Sequence, residues 1–337
     1  MRAAVRTEAW IAFLAALVLL APTAVLGDDL GDAEEPFSGY EIFDDPRLQR
    51  QYDLDRIAPF EDQAPLWDYV DPKLEALVLE ELGKLGLQHA VRRRKLAAVL
   101  VDISNLEKPR VASINGDVML YAASLPKIAV LLAAFEKIAE GRMKLDARTQ
   151  QSLEDMIRVS SNSAATAMMN EVGKDYIARV LLSPRYRLYD PKHNGGLWVG
   201  KDYGKAGLWK RDPLHNLSHG ATAMQVARYF YMLQTGKLVT PEYSEKMKKI
   251  LSNPGIYHKF VGALQQVNPA ADLFRKSGSW RTYHSDSIIV ERGQRAYIAV
   301  ALSDSPEGKH WLKKITVAFD GIIFGKSWLH QMAGQPG

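Results

Sequence analysis

The segments "KLAAVLVDIS", Lys95 to Ser104, and "SIIVERGQRAYIAVAL", Ser287 to Leu302, read as strands, yet a long and mostly helical stretch separates them. Short aliphatic runs of this kind suit buried strands. Buried strands must pair their backbone groups, and strands at both ends with helices between them suggest one sheet assembled from both ends of the domain. A further strand near Arg110 to Ile114 follows the polar turn at Glu107 to Pro109, and strand character resumes from Leu273. Gly293 gives the Glu291 to Gln294 turn the backbone freedom of a hairpin. The expected class is α+β: an antiparallel sheet built from both chain ends plus a mainly helical lobe.

The helical middle runs from Leu125 to about Leu182, broken by Gly141 and by the polar cluster Ser160 to Ser163, and a second helical run lies around Ala221 to Leu233. At the front, Asp71 can cap a helix with Pro72 in its first position and Leu74, Leu77, Val78, Leu82 and Leu85 along one face. The folded domain is therefore expected over 71–330, closed by the amphipathic "WLKKITVAFDGIIF". Upstream, Asp28 to Asp62 carries twelve acidic residues against three basic ones and lacks periodicity, which suggests an acidic arm or linker over 28–70. Arg2 and Arg6 precede the apolar run Ala9 to Ala21, and Gly27 offers a cleavage point, so 1–27 reads as a signal peptide for a periplasmic or secreted protein. No second long apolar run follows, so no stable membrane span is expected after cleavage. The absence of cysteine excludes disulfides, thiol catalysis and cysteine-type zinc sites. With a net charge of +4 and "RRRK", Arg92 to Lys95, read as a solvated turn, no nucleic-acid partner is expected.

Chemistry first suggests itself in "YAASLPKIAVLLAAFEKIAEG", Tyr121 to Gly141. Residues three apart share a helix face, so Ser124 and Lys127 can touch at a helix start, where the dipole and an ammonium both favour developing negative charge. A neutral Lys127 can instead take the serine proton. Alone, the pair also fits an ordinary helix cap. In "RVSSNSAAT", Ser160 can relay a proton and Asn162 offers both a donor and an acceptor, although a cap and turn explain the same residues. In "FRKSGSW", Lys276 can attract a carboxylate, Ser277 can hydrogen-bond it, and Gly278 removes a side chain to let a substrate approach the backbone. A lysine-blunted edge strand is the plainer alternative there.

Together, Ser-x-x-Lys, Ser-x-Asn and Lys-Ser-Gly, on helix, loop and strand in that order, resemble the motif set of class A β-lactamases and the related penicillin-binding proteins. The resemblance runs from about Leu74 to Phe324. It implies that Ser124 is the acylated nucleophile, Lys127 its proton acceptor or electrostatic partner, and Ser160 a proton shuttle to the leaving nitrogen. It further implies that Asn162 holds a substrate amide, that Lys276 and Ser277 bind the substrate carboxylate, and that the backbone N–H groups of Ser124 and Ser279 hold the oxyanion. Two departures stand out: Ser-Ser-Asn replaces the family's Ser-Asp-Asn, and no glutamate occurs between Glu171 and Glu242 to activate a deacylating water. "DPLHN" keeps an acid, proline and asparagine spacing, with Asp212 for the glutamate and Asn216 for the asparagine, but a loop aspartate paired with Lys210 or Arg211 accounts for it as well. Trp280 and His284 are expected as a packed indole and a surface imidazole. No metal spacing or phosphate loop is present, so no cofactor is implied. The leading expectation is an exported class A-type hydrolase that opens β-lactam rings through a Ser124 acyl-enzyme. The alternatives are a penicillin-binding-type peptidase, transpeptidase or other amidase acting on a peptidoglycan-like amide with slow deacylation, or a binding protein on the same fold.

Overall fold

The Asp71 carboxylate accepts from the N–H groups of Lys73 (2.8 Å) and Leu74 (3.3 Å) and so opens helix α1 (Pro72–Lys84), as its sequence leads one to expect. Leu74, Val78 and Leu82 are buried, while Leu77 turns to solvent. The computed structural model describes residues 66–204, 207 and 209–325, all within the compact unit Phe37–Gly337. The expected signal peptide and most of the acidic arm lie outside the described residues. Packing begins before Asp71: Leu66 is 1% exposed in the core, and Trp67 stacks on His193 and donates to Asp117 (3.1 Å).

Helix α2 (Gln88–Arg92) and the exposed Arg93 to Lys95 lead into β1 (Leu96–Asp102), which turns back as β2 (Arg110–Ile114). After the short β3 (Leu120–Tyr121) comes the helical lobe, α3 (Lys127–Ala139), α4 (Ala147–Arg158), α5 (Asn162–Val172) and α6 (Lys174–Leu182). The irregular stretch that follows holds β4 (Tyr189–Asp190), β5 (Gly195–Gly196), β6 (Trp198–Val199) and β7 (His219–Ala221). Helices α7 (Ala223–Gln234), α8 (Pro241–Leu251) and α9 (Lys259–Val267) precede β8 (Asp272–Trp280), β9 (Tyr283–Arg292), β10 (Arg295–Asp304) and α10 (Gly308–Phe324). Among the described residues, no helix is long and apolar enough to cross a membrane.

The five-stranded antiparallel sheet has the order β2-β1-β10-β9-β8, and the register Leu96↔Ser303 joins the two ends of the domain. Strand periodicity divides its apolar residues between two cores. Leu96, Ala98 and Leu100 of β1, with Tyr297, Ala299 and Ala301 of β10, face α1, α9 and α10. Ala97, Val99 and Val101, with Ile298, Val300 and Leu302, face the helical lobe. Burial on both faces is why these strands read as unbroken apolar runs rather than as an alternation. Helix α3 crosses the middle of the lobe and is buried at every position from Lys127 to Glu136, which its all-round apolar sequence requires. β8 is an edge strand, and its free edge meets the start of α3.

Candidate active site

Ser124 does not cap α3. It lies in the turn just ahead of the helix, where Leu125 N–H donates to the Ala122 carbonyl (3.1 Å), Lys127 N–H to Ser124 (3.4 Å) and Ile128 N–H to Leu125 (3.3 Å). This tight turn follows from Pro126, which has no N–H to give, and from Ala123, held at φ +51°. The serine side chain faces a cavity of about 380 Å³.

Lys127 is fully buried, and it touches two residues that line the cavity, Asn162 and Tyr203. Its Nζ donates to the Ser160 carbonyl (2.7 Å) and Asn162 Oδ1 (2.9 Å), with longer contacts to Ser160 Oγ and the Ser161 carbonyl (both 3.3 Å). Burial pushes its ammonium down to about 7, so the neutral amine is accessible near neutral pH. A neutral amine has two N–H bonds and one lone pair; with the N–H bonds given to Ser160 and Asn162, the lone pair is left for a proton.

Ser160 sits at φ +58°, a strained geometry for a residue with a side chain, and its hydroxyl lies between two lysines. Lys276 Nζ, fully buried on β8, donates to Ser160 Oγ (2.9 Å) and to the Ser277 carbonyl (2.7 Å). Burial, reinforced by Lys127 and Arg275, holds Lys276 well below the usual lysine range. Ser161, the residue that replaces the family's aspartate, is the N-cap of α5 and accepts from Ala164 N–H (3.1 Å). A hydroxyl serves that task as well as a carboxylate.

Gly278 is needed for a reason other than the expected one. A Cβ there would lie 2.6 Å from Ser124 N and 2.8 Å from Leu125 N, and closer still to the Ala122 carbonyl. The missing side chain lets β8 approach the Ser124 turn. Next along the strand, Ser279 lines the cavity, so the two backbone donors implied for the oxyanion lie on facing segments.

The remaining wall comes from the irregular stretch after α6. Tyr203 is buried with its ring stacked on His219 (centroids 4.3 Å apart, 1° between planes), and Lys127 Nζ lies 4.5 Å from the Tyr203 ring centre. Thr166 fixes the Tyr203 backbone by donating to its carbonyl (2.9 Å). Burial, followed by the nearby Lys201 and Lys127, pushes the His219 imidazole down to about 3, so it stays neutral. The rim carries Lys201, Arg211 and Arg281, and among the described residues no carboxylate lines the cavity.

Comparison with known proteins gives the family and the fold. The family model described as "Beta-lactamase enzyme family" matches residues 87–151 and 148–318. The chain belongs to the beta-lactamase enzyme family. That membership makes it a β-lactamase-like serine hydrolase at the level of the family. Among solved structures it is similar to a beta-lactamase from Sphaerobacter thermophilus DSM 20745, at 16% identity over 73% of this chain and 96% of that one, with TM-score 0.58. It is also similar to a beta-lactamase from Chitinophaga pinensis DSM 2588, at 12% identity over 72% and 98%, with TM-score 0.55. A third is a mutant of PBP-A described as an acyl-enzyme complex with penicillin G, at 14% identity over 80% and 100%, with TM-score 0.54. No curated protein matches the chain by sequence. The fold is thus the α+β β-lactamase and penicillin-binding architecture expected from the motif order.

Of the residues singled out in the sequence, Ser124, Asn162 and Ser279 line the cavity, Lys127 and Ser160 join them through the hydrogen bonds described above, and Gly278 sets the approach of β8 to the Ser124 turn. Lys276 and Ser277 are buried behind the cavity wall rather than in it. Asp212 does not join the cluster. Its Oδ1 accepts from the Tyr189 hydroxyl, its Oδ2 from His215 N–H (2.7 Å), and it pairs with neither Lys210 nor Arg211. A carboxylate that closes its own turn and is bonded to a buried tyrosine is occupied by structural work. Trp280, expected to be packed, is 56% exposed and lines the cavity. Tyr203 and His219 escaped the sequence reading because their stretch has no periodicity. Its aromatic richness was the single signal pointing there.

Proposed function

We propose that this β-lactamase-family protein is acylated on Ser124 by β-lactam-type amides and releases the acyl group slowly. The observation that carries the reading is the Ser160 hydroxyl held between Lys127 and Lys276, with Ser124 one turn ahead of Lys127. In this scheme the Lys127 lone pair takes the Ser124 proton as Oγ attacks the ring carbonyl. The Ser160 hydroxyl passes a proton to the departing ring nitrogen and is reprotonated from the lysine side, while the N–H groups of Ser124 and Ser279 hold the oxyanion.

Slow release is favoured by what faces Lys127. Where a water-activating carboxylate would serve, the stacked Tyr203 and His219 rings stand instead, and Asp212 is tied to Tyr189. General-base assistance contributes about 100- to 10,000-fold to a proton-transfer step, so its loss lengthens the life of an acyl-enzyme by a comparable factor. The cationic rim of Lys201, Arg211 and Arg281 favours substrates bearing negative charge, in line with the carboxylate of a β-lactam or of a peptide terminus. Export to the periplasm or medium is proposed from the N-terminal sequence alone.

Intact-protein mass spectrometry of the purified protein mixed with benzylpenicillin tests this. A penicilloyl adduct on Ser124 that persists for many minutes is expected. An adduct that clears while product accumulates refutes slow release, and the absence of any adduct refutes the acylation itself.

A further inference from the structure

Behind β8, on the side away from the cavity, lies a cation that the acylation scheme does not use. Lys259, the first residue of α9, is fully buried and held at φ +51°. Its Nζ donates to the Gly278 carbonyl (2.5 Å) and to the Ser285 carbonyl (2.9 Å). The nearest buried acid, Asp286, is engaged elsewhere: it accepts from Arg275 (2.6 and 2.8 Å) and from the backbone of Phe260 (3.2 Å). The fold therefore buries an amine against two carbonyls, an arrangement expensive for a charge and unnecessary for packing.

The Gly278 carbonyl belongs to the same peptide unit as the Ser279 N–H. A trans peptide points its C=O and N–H in opposite directions, and no cis bond occurs among the described residues. Gly278 and Ser285 lie opposite each other, and Lys259 reaches the carbonyls of both, so those carbonyls point into the space between β8 and β9, and the Ser279 N–H faces the free edge of β8 and the cavity. The Ser124 turn lies directly across that edge. A cation bonded to the oxygen of a peptide withdraws electron density and makes the N–H at its other end a stronger donor.

We infer that Lys259 is a positioning residue for catalysis, polarising the Gly278–Ser279 peptide from behind so that the Ser279 N–H holds the developing oxyanion more strongly. The inference rests on the proposed acylation of Ser124. It gives β8 two roles on one peptide: an acceptor towards the buried cation and a donor towards the reacting carbonyl. Burial brings Lys259 down to about 7; Asp286 of β9 favours its charge, while Arg275 of β8 and Lys309 of α10 oppose it, and His284 of β9 is itself lowered in part by Lys259. The polarising charge is accordingly present below neutral pH and lost above it.

The test is the limiting rate and half-saturation of acylation by benzylpenicillin, measured across pH 5.5 to 9 for the full chain and for Lys259→Met. The variant is expected to lose about 10-fold in limiting rate, a fraction of what removing a whole oxyanion donor costs, with half-saturation within about twofold. It should also lose the alkaline decline of the wild-type profile. An unchanged rate overturns the inference, and so does a lower rate that keeps the alkaline decline, since the lysine would then act through structure alone. If Lys259→Met does not fold, the wild type answers by itself. Gly278–Ser279 is the one Gly-Ser pair in the sequence, so labelling glycine carbonyl carbon and serine nitrogen isolates this peptide by NMR. Its carbonyl resonance should titrate near pH 7; a flat resonance overturns the inference. A wild type that benzylpenicillin fails to acylate while that resonance titrates would locate the failure in the substrate assignment rather than in Lys259.

Discussion

Replacing Gly278 with alanine should separate the two segments that carry the reaction. The added methyl would stand 2.6 Å from Ser124 N and 2.8 Å from Leu125 N, where ordinary contact begins at 3.4 Å. Both are backbone atoms, as is the still closer Ala122 oxygen, so no side chain can swing away and the strand and turn must part by about 1 Å. Overpacking of this kind costs about 1–3 kcal/mol, and in a domain of this size each kcal/mol lowers Tm by about 2–4 °C. The kinetic effect should be larger. A 1 Å displacement between nucleophile and oxyanion donor costs on the order of 100-fold. Gly278→Ala should therefore melt a few degrees lower yet remain folded by circular dichroism, and be acylated by benzylpenicillin about 100-fold more slowly. A folded variant acylated within about threefold of the wild-type rate would show that β8 and the Ser124 turn do not act together, and would refute the reasoning.

Four further outcomes follow from the same geometry. Ser160→Ala removes the hydroxyl between the two lysines and should slow acylation by about 100-fold or more, read by stopped-flow, with reversible binding little changed. On the acid side acylation should rise as pH approaches about 7, because burial lets Lys127 lose its proton there and the neutral amine is the active form; Lys127→Arg, which stays charged, should abolish the reaction and with it that rising limb. Asp212→Asn keeps only one acceptor oxygen for the Tyr189 and His215 donors and should destabilise the fold by about 1–3 kcal/mol in urea melts, while the folded protein keeps its acylation rate within about threefold. A penicillin with a carboxylated side chain should acylate the protein about tenfold faster than one with an amino side chain at low salt, and the gap should close as ionic strength rises.

The parts legible in the sequence are those in which local chemistry decides the outcome. Asp71 followed by Pro72 opens a helix because a carboxylate and a residue without an N–H suit a helix start whatever packs on it later. The runs around Val99 and Val300 declare a doubly buried sheet because each of its faces needs its own apolar set. The three motifs were legible as an ordered set even though each one also fits a plain cap, turn or edge strand. Where the reading went astray, a distant partner had intervened. Asp212 has the spacing of a water-activating acid, but Tyr189, far back along the chain, takes its carboxylate. Trp280 is apolar and was expected to be packed, but an edge strand carries it into the cavity mouth.

The same dependence on distant partners explains why two lysines that look alike in sequence take different parts. Lys127 and Lys259 each occupy the first position of a helix, and burial brings each to about 7. Helix position and burial do not distinguish them. Lys127 meets Ser160, Asn162 and the Tyr203 ring beside the cavity, where a lone pair has a proton to accept from Ser124. Lys259 meets two backbone carbonyls behind β8, where only its charge can act, and can act only through the peptide bond. Raising the pH through neutrality therefore switches the two in opposite senses. It arms the base and weakens the oxyanion donor, and their opposition fixes a bell-shaped acylation profile whose two limbs belong to different sides of the same strand.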